Sequence, residues 1–351
     1  MHLTRLVIEN LRAIPQLDLD LSLGGAPRRR VMLLGVNGAG KTTTLEAVAY
    51  AFQRLQPSWA RDAERDGALL RPSDVRRGPE GLEPGETPVA IVSLDTALSS
   101  EEHALARETQ SDAPGSGALR FEIGARRPAA GRQLDFRAAL EALAGSRTPG
   151  GWQEVAATTA SQASKAPCVY LPADRGVLTY RDDLSLAEVV RFDPRDGAMA
   201  KDRRRFAPLA ARLALAFSGN KSQDETGTLA RMWKVLARYF PELPRPVAVD
   251  GLMLMFRTPA GVLVRLTDLS DGERSVLLLF GELASRLSED GVALIDELEQ
   301  HLHPRWQRAA PEALTAMMPS AQVIVSSQSP YLAATASDDI VKLGNWDGDH
   351  G

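Results

Sequence analysis

Cysteine is all but absent from this chain: Cys168 is the only one among 351 residues. A single thiol excludes an internal disulfide framework, so the fold must rest on its packed core. Nothing in the sequence supplies the base and orienting partner of a thiol nucleophile, and Cys168 is read as a small buried hydrophobe. Apolar runs of membrane-spanning length are missing, as is a signal peptide, which points to the cytoplasm and away from a membrane. An excess of one charge is also lacking, with 41 basic against 45 acidic residues and a net charge of −4. Bulk charge therefore makes no case for a nucleic-acid partner and leaves only the runs Arg28 to Arg30 and Arg203 to Arg205, more often solvated faces, for phosphate contacts. Internal repeats and sustained heptads do not occur, and the second absence excludes a long coiled-coil arm.

What is present is a hydrophobic content of 44%, enough for one large core or two smaller ones, and a run with chemical meaning. Gly35-Val36-Asn37-Gly38-Ala39-Gly40-Lys41-Thr42 fits G-x-x-x-x-G-K-[ST], a nucleotide-phosphate cradle between a strand and a helix. The flanks suit it: Arg30 to Leu34 reads as a short buried strand and Thr43 to Phe52 as a helix. Backbone N–H groups from Asn37, Gly38, Ala39, Gly40 and Thr43 would hold the phosphates of ATP or GTP. Lys41 would reach the β and γ phosphates, and Thr42 would ligate Mg²⁺. Gly40 leaves no room for a side chain larger than hydrogen.

Two later segments supply the chemistry that such a loop needs. Leu269-Ser270-Asp271-Gly272-Glu273 precedes an apolar-periodic helix over Arg274 to Leu287, placing Ser270 and backbone N–H groups at the helix's positive end. That end is a second anion site or an ordinary cap. A buried strand, Gly291 to Ile295, then delivers Asp296 and Glu297 at its tip. Asp296 is placed to hold the Mg²⁺ shell, and Glu297 to orient or deprotonate an attacking water. A third strand, Gln322 to Ser326, should lie parallel beside it and leads to Gln328, a candidate γ-phosphate contact or a plain polar loop residue, with Ser329 capping and Pro330 starting a short helix.

The remainder gives organisation. Alternation at Leu3, Leu6 and Ile8 and at Leu17 to Leu23 reads as two strands joined around Asn10-Leu11-Arg12. Gln56 to Pro88 and Gly145 to Pro167 are rich in loop-forming residues. Val89 to Leu94, Leu119 to Ile123 and Cys168 to Leu171 read as strands. Leu134 to Leu143, Leu184 to Val190, Arg204 to Phe217 and Thr228 to Tyr239 read as helices.

The order of these motifs resembles the ABC-type ATPases, and within them the RecF, SMC and OLD-like branch. Asn10-Leu11-Arg12 resembles that branch's Asn-Phe-Arg element, and Asp296 to Pro304 its Asp-Glu-Pro-Glu…Leu-His-Pro run. The resemblance implies an α/β P-loop NTPase: a mostly parallel sheet with an N-terminal β layer and an inserted helical lobe. The core is then 1–52, 168–180 and 245–351, with a variable insertion over 53–167 and the helical lobe over 181–244. It also implies ATP sandwiched head to tail in a homodimer, with Lys41, Thr42, Asp296 and Glu297 of one copy facing Ser270 and Gly272 of the other, and with Arg12 and Glu273 among the nucleotide-binding residues. His301 and His303, which could be read as metal ligands, take a structural role in it. Two departures stand out. Gln328 replaces the family's switch His, which implies slow turnover, and Leu298 replaces a Pro. The expected function is an ATP-switched regulator of a separate effector, as in bacterial anti-phage defence. The alternatives are a RecF-like ATPase that binds duplex DNA and a non-hydrolysing scaffold. The short remainder after Gln328 offers no nuclease domain.

Overall fold

In a computed structural model the described residues are 1–55, 69–76, 89–97, 116–124, 165–173, 213–214, 225–250, 253–335 and 339–343. The chain opens with a hairpin of β1 (His2–Leu11) and β2 (Ile14–Asp20), followed by the short pair β3 (Ser22–Leu23) and β4 (Ala26–Pro27). Then come β5 (Arg30–Leu34), α1 (Lys41–Leu55), β6 (Val89–Ala97), β7 (Ser116–Gly124) and β8 (Ala166–Leu171). The second half contains α2 (Glu225–Tyr239), β9 (Arg245–Asp250), β10 (Met253–Arg257), β11 (Leu263–Arg265), α3 (Asp271–Arg286) and β12 (Leu287–Ile295). It closes with α4 (Pro304–Met317), β13 (Gln322–Ser327), α5 (Pro330–Ala333) and β14 (Ile340–Lys342).

Five strands form a wholly parallel sheet in the order β14-β5-β13-β12-β8. Its inner strands carry the apolar runs Val31 to Leu34, Val292 to Ile295 and Val323 to Val325 because both faces are covered there. The two-residue period divides each strand between two cores. Val31, Leu33, Cys168, Tyr170, Val292, Leu294 and Ile324 face α1 and the antiparallel layer. Met32, Leu34, Val169, Leu171, Ala293, Ile295, Val323 and Val325 face α2, α3 and α4. On that second side Phe240 meets the rings of Phe280 and Trp306 edge-on, at 5.6 and 5.7 Å between centroids, and joins the three helices. Cys168 is fully buried, and burial pushes its thiol well above the ordinary range, so it packs as a hydrophobe.

The antiparallel layer has the order β2-β1-β6-β7. Strands β6 and β7, which the sequence places in an insertion, thus complete the sheet that the N-terminal hairpin begins. A buried side chain stitches the two sheets. The Gln322 amide on β13 accepts from Leu3 N at 2.7 Å and donates to Leu3 O at 2.9 Å and Arg28 O at 2.8 Å.

A three-stranded sheet, β11-β10-β9, precedes α3 and escapes the sequence reading. The helices expected at Leu134 to Leu143 and Leu184 to Val190, and all but two residues of that at Arg204 to Phe217, lie outside the described residues.

Candidate nucleotide site

The phosphate loop stands between β5 and α1, as the motif requires. Gly38 and Gly40 have φ of +83° and +89°, which side-chain-bearing residues adopt only at a cost. Gly40 is constrained twice, since a Cβ there would lie 2.9 Å from Cγ1 of Ile14 on the N-terminal hairpin. Lys41 is buried, and its Nζ donates to the carbonyls of Gly35 at 2.7 Å and Val36 at 3.1 Å, so the ammonium sits over the start of the loop. Thr43 is buried in the first turn of α1, while Asn37, Gly38 and Thr42 are exposed.

Parallel pairing puts the ends of β5, β13 and β12 side by side. Thr42 Oγ1 consequently donates to Asp296 Oδ2 at 2.8 Å, bridging 254 residues of sequence. A hydroxyl and a carboxylate oxygen at this separation are the hard oxygen donors that suit Mg²⁺. Asp296 is 2% exposed, and a buried carboxylate needs such partners. Its Oδ1 accepts from Ser326 Oγ at 2.5 Å. Glu297 follows with φ +45°, the left-handed region, and is only partly buried. Gln328 is exposed at the end of β13, where its backbone N–H donates to Glu299 Oε1 at 2.7 Å. Ser329 caps α5 by accepting from Tyr331 N at 3.2 Å, with Pro330 next.

Arg12 lies in the turn between β1 and β2, and both it and Asn10, near the end of β1, have positive φ. Its Nε donates to Asp74 Oδ1 at 2.9 Å and its Nη1 to Glu46 Oε2 at 2.5 Å on α1. Burial works against its charge, but the two carboxylates outweigh that and raise its pKa.

Ser270 caps α3 in a reciprocal box: Glu273 N donates to its Oγ at 3.4 Å, and Glu273 Oε2 accepts from Ser270 N at 2.8 Å and Oγ at 2.7 Å. No hydrogen bond joins Ser270, Gly272 or Glu273 to Lys41 or Thr42 among the described residues. His303 caps α4, its Nδ1 accepting from Arg305 N at 3.3 Å, and no cluster of three or more His, Cys, Asp or Glu suited to a metal occurs among the described residues. The basic run Arg28 to Arg30 is spent on its own chain, on Ser22 O, Ser320 O and Asp339. Among the described residues no helix is long and apolar enough to cross a membrane.

Ser326 is the residue the sequence reading missed. A serine directly after the apolar run Val323 to Val325 of a buried strand was its only signal, because a buried hydroxyl must find a partner.

Residues 30–334, from β5 through α5, match the family described as "AAA domain, putative AbiEii toxin, Type IV TA system". The chain belongs to that family. It is 31% identical over 93 residues to the "Retron Vc95 probable ATPase" of Vibrio cholerae serotype O1 biovar El Tor, which is 23% of this chain and 18% of that protein. It is 39% identical over 56 residues to the "Septu protein PtuA" of Bacillus thuringiensis, 16% and 14% of the two chains. The matched stretches thus span under a fifth of either relative. An SMC head solved with the C-winged helix domain of ScpA superposes over 99% of this chain and 95% of its own, with a TM-score of 0.54 at 12% identity. The fold is that of the ABC-type ATPase heads.

Proposed function

We propose that this AAA-domain protein is a Mg²⁺-dependent ATPase that closes head to tail on ATP and passes that change to a separate effector protein in bacterial anti-phage defence. The hydrogen bond between Thr42 and Asp296 carries the reading, because it joins the phosphate loop to the acidic strand tip. The retron and Septu relatives support the defence setting, and the fold likeness supports the paired arrangement.

Each residue has a role set by its place. The loop N–H groups and the start of α1 bind phosphate, and Lys41 swings its ammonium from the Gly35 and Val36 carbonyls toward added negative charge. Thr42 and Asp296 would hold Mg²⁺, which when bound draws charge from the β and γ phosphate oxygens. Glu297 takes the proton of the attacking water. Arg12 reaches the nucleotide through Nη2, the nitrogen left over from Asp74 and Glu46. Ser270, Gly272 and Glu273 serve the nucleotide of the second copy. Gln328, without a charge-capable ring, makes turnover slow.

Phosphate release from ATP by the purified protein tests the activity, and its elution volume with ATP and Glu297→Gln tests closure. ATP binding without phosphate release in any condition would leave a scaffold in its place.

A further inference from the structure

We propose that Ser326 is a positioning residue for hydrolysis, holding both the Asp296 carboxylate and the strained backbone that presents Glu297. The proposal deepens the ATPase reading and rests on it for the role of Glu297.

Glu297 has φ +45°, a conformation that is unfavourable for a residue with a side chain and persists only when its surroundings impose it. Ser326 imposes it from both sides. Its Oγ accepts the Glu297 N–H at 2.9 Å, and its backbone carbonyl accepts the Leu298 N–H at 3.1 Å. The residue is fully buried on the central strand β13, so both acceptors are rigidly placed. The hydroxyl has one hydrogen, and it donates that to Asp296 Oδ1 at 2.5 Å. Its polarity is therefore fixed: the O–H points to Asp296 and a lone pair to the Glu297 N–H. One hydroxyl orients the carboxylate that would take the metal and sets the direction in which the next residue leaves the strand.

A methyl in place of the hydroxymethyl removes two of these three bonds and leaves the carbonyl bond intact. Ser326→Ala should therefore speed exchange of the Glu297 amide hydrogen about tenfold or more while leaving Leu298 near its original rate, followed by NMR in the nucleotide-free protein. General loosening of the fold would accelerate both amides alike and would overturn the proposal. In turnover, Ser326→Ala should lower kcat about tenfold to a hundredfold, with ATP affinity within about threefold and a higher half-saturating Mg²⁺ concentration. Ser326→Thr keeps the hydroxyl and should restore most of the rate. Equal losses in the alanine and threonine variants, or an alanine variant with unchanged Glu297 exchange and unchanged kcat, would refute the role. If the alanine variant does not fold, Ser326→Cys, of similar size but weaker as a hydrogen-bond partner, should show the same pattern in smaller measure, and wild-type exchange and rate in it would refute the role. Absence of turnover in the wild type would remove the ATPase reading, whereas the exchange measurement still decides whether Ser326 holds Glu297.

Discussion

Gly272, near the start of α3, lies against the carbonyl of His301: a Cβ at position 272 would be 2.8 Å from that oxygen. The loop that follows Glu297 and the helix end that follows Ser270 are therefore in contact within one chain. Glycine at 272 is required by this packing, apart from any nucleotide brought by another copy.

That contact separates two substitutions that would otherwise look alike. If the site is shared between copies, Lys41→Ala mixed with Ser270→Arg should regain part of the ATPase rate, because some mixed dimers keep one intact site. Gly272→Ala mixed with Lys41→Ala should regain less, since the alanine also displaces the loop behind its own Glu297. No rescue in the first mixture, once heterodimers are demonstrated, would count against a shared site.

Lys41 and Glu297 should fail differently. Lys41→Ala removes the ammonium over the loop and should weaken ATP binding about tenfold or more, whereas Glu297→Gln should bind ATP normally and hydrolyse it about a hundredfold more slowly. Binding measured with labelled ATP and release of phosphate are read separately. Equal loss of affinity in both variants would contradict the division of roles.

Gln328→His should raise turnover, since an imidazole adds a charge-capable donor. Glu299 holds position 328 through the backbone N–H, so the exchange of side chains leaves the loop in place. A lower rate at unchanged ATP affinity, measured by steady-state kinetics, would show that glutamine has a role of its own.

His2 makes stability depend on pH. It is 4% exposed, and burial, with the nearby chain-terminal amine and Arg29, pushes its pKa down to about 4. The unfolded chain then takes up the proton first, so this contribution is complete above about pH 6.5 and is lost as pH falls toward 4. Its size is about 3 kcal/mol at most. Urea midpoints at about pH 7 and pH 4.5 should differ less in His2→Gln than in the wild type. Equal differences would remove His2 as the source.

The phosphate loop, the strand carrying Asp296 and Glu297 and the Ser329-Pro330 cap were legible because each is specified within about ten residues of sequence. The parallel placement of the strand read at Gln322 to Ser326 beside β12 was legible as well, from two apolar runs that only a doubly covered sheet can bury. What escaped depends on distant partners. Strands β9 to β11 are short, carry Pro246, shift register between Met255 and Phe256 and lie half in solvent, so no clean alternation marks them. The pairing of β6 with β1 leaves no trace in either strand alone. Ser326 looked like one more small residue until β12 was set against it.

The strand that carries the phosphate loop, β5, has β13 and β14 as its two sheet neighbours, and both come from the far end of the chain. The Gln322 stitch likewise reaches back 319 residues to Leu3. During synthesis, β5 and the phosphate loop leave the ribosome long before β13 and β14 exist to flank them. The nucleotide cradle therefore cannot be completed before β13 and β14 have been made, and a nascent chain stalled before Gln322 carries the motif without the strands that flank it.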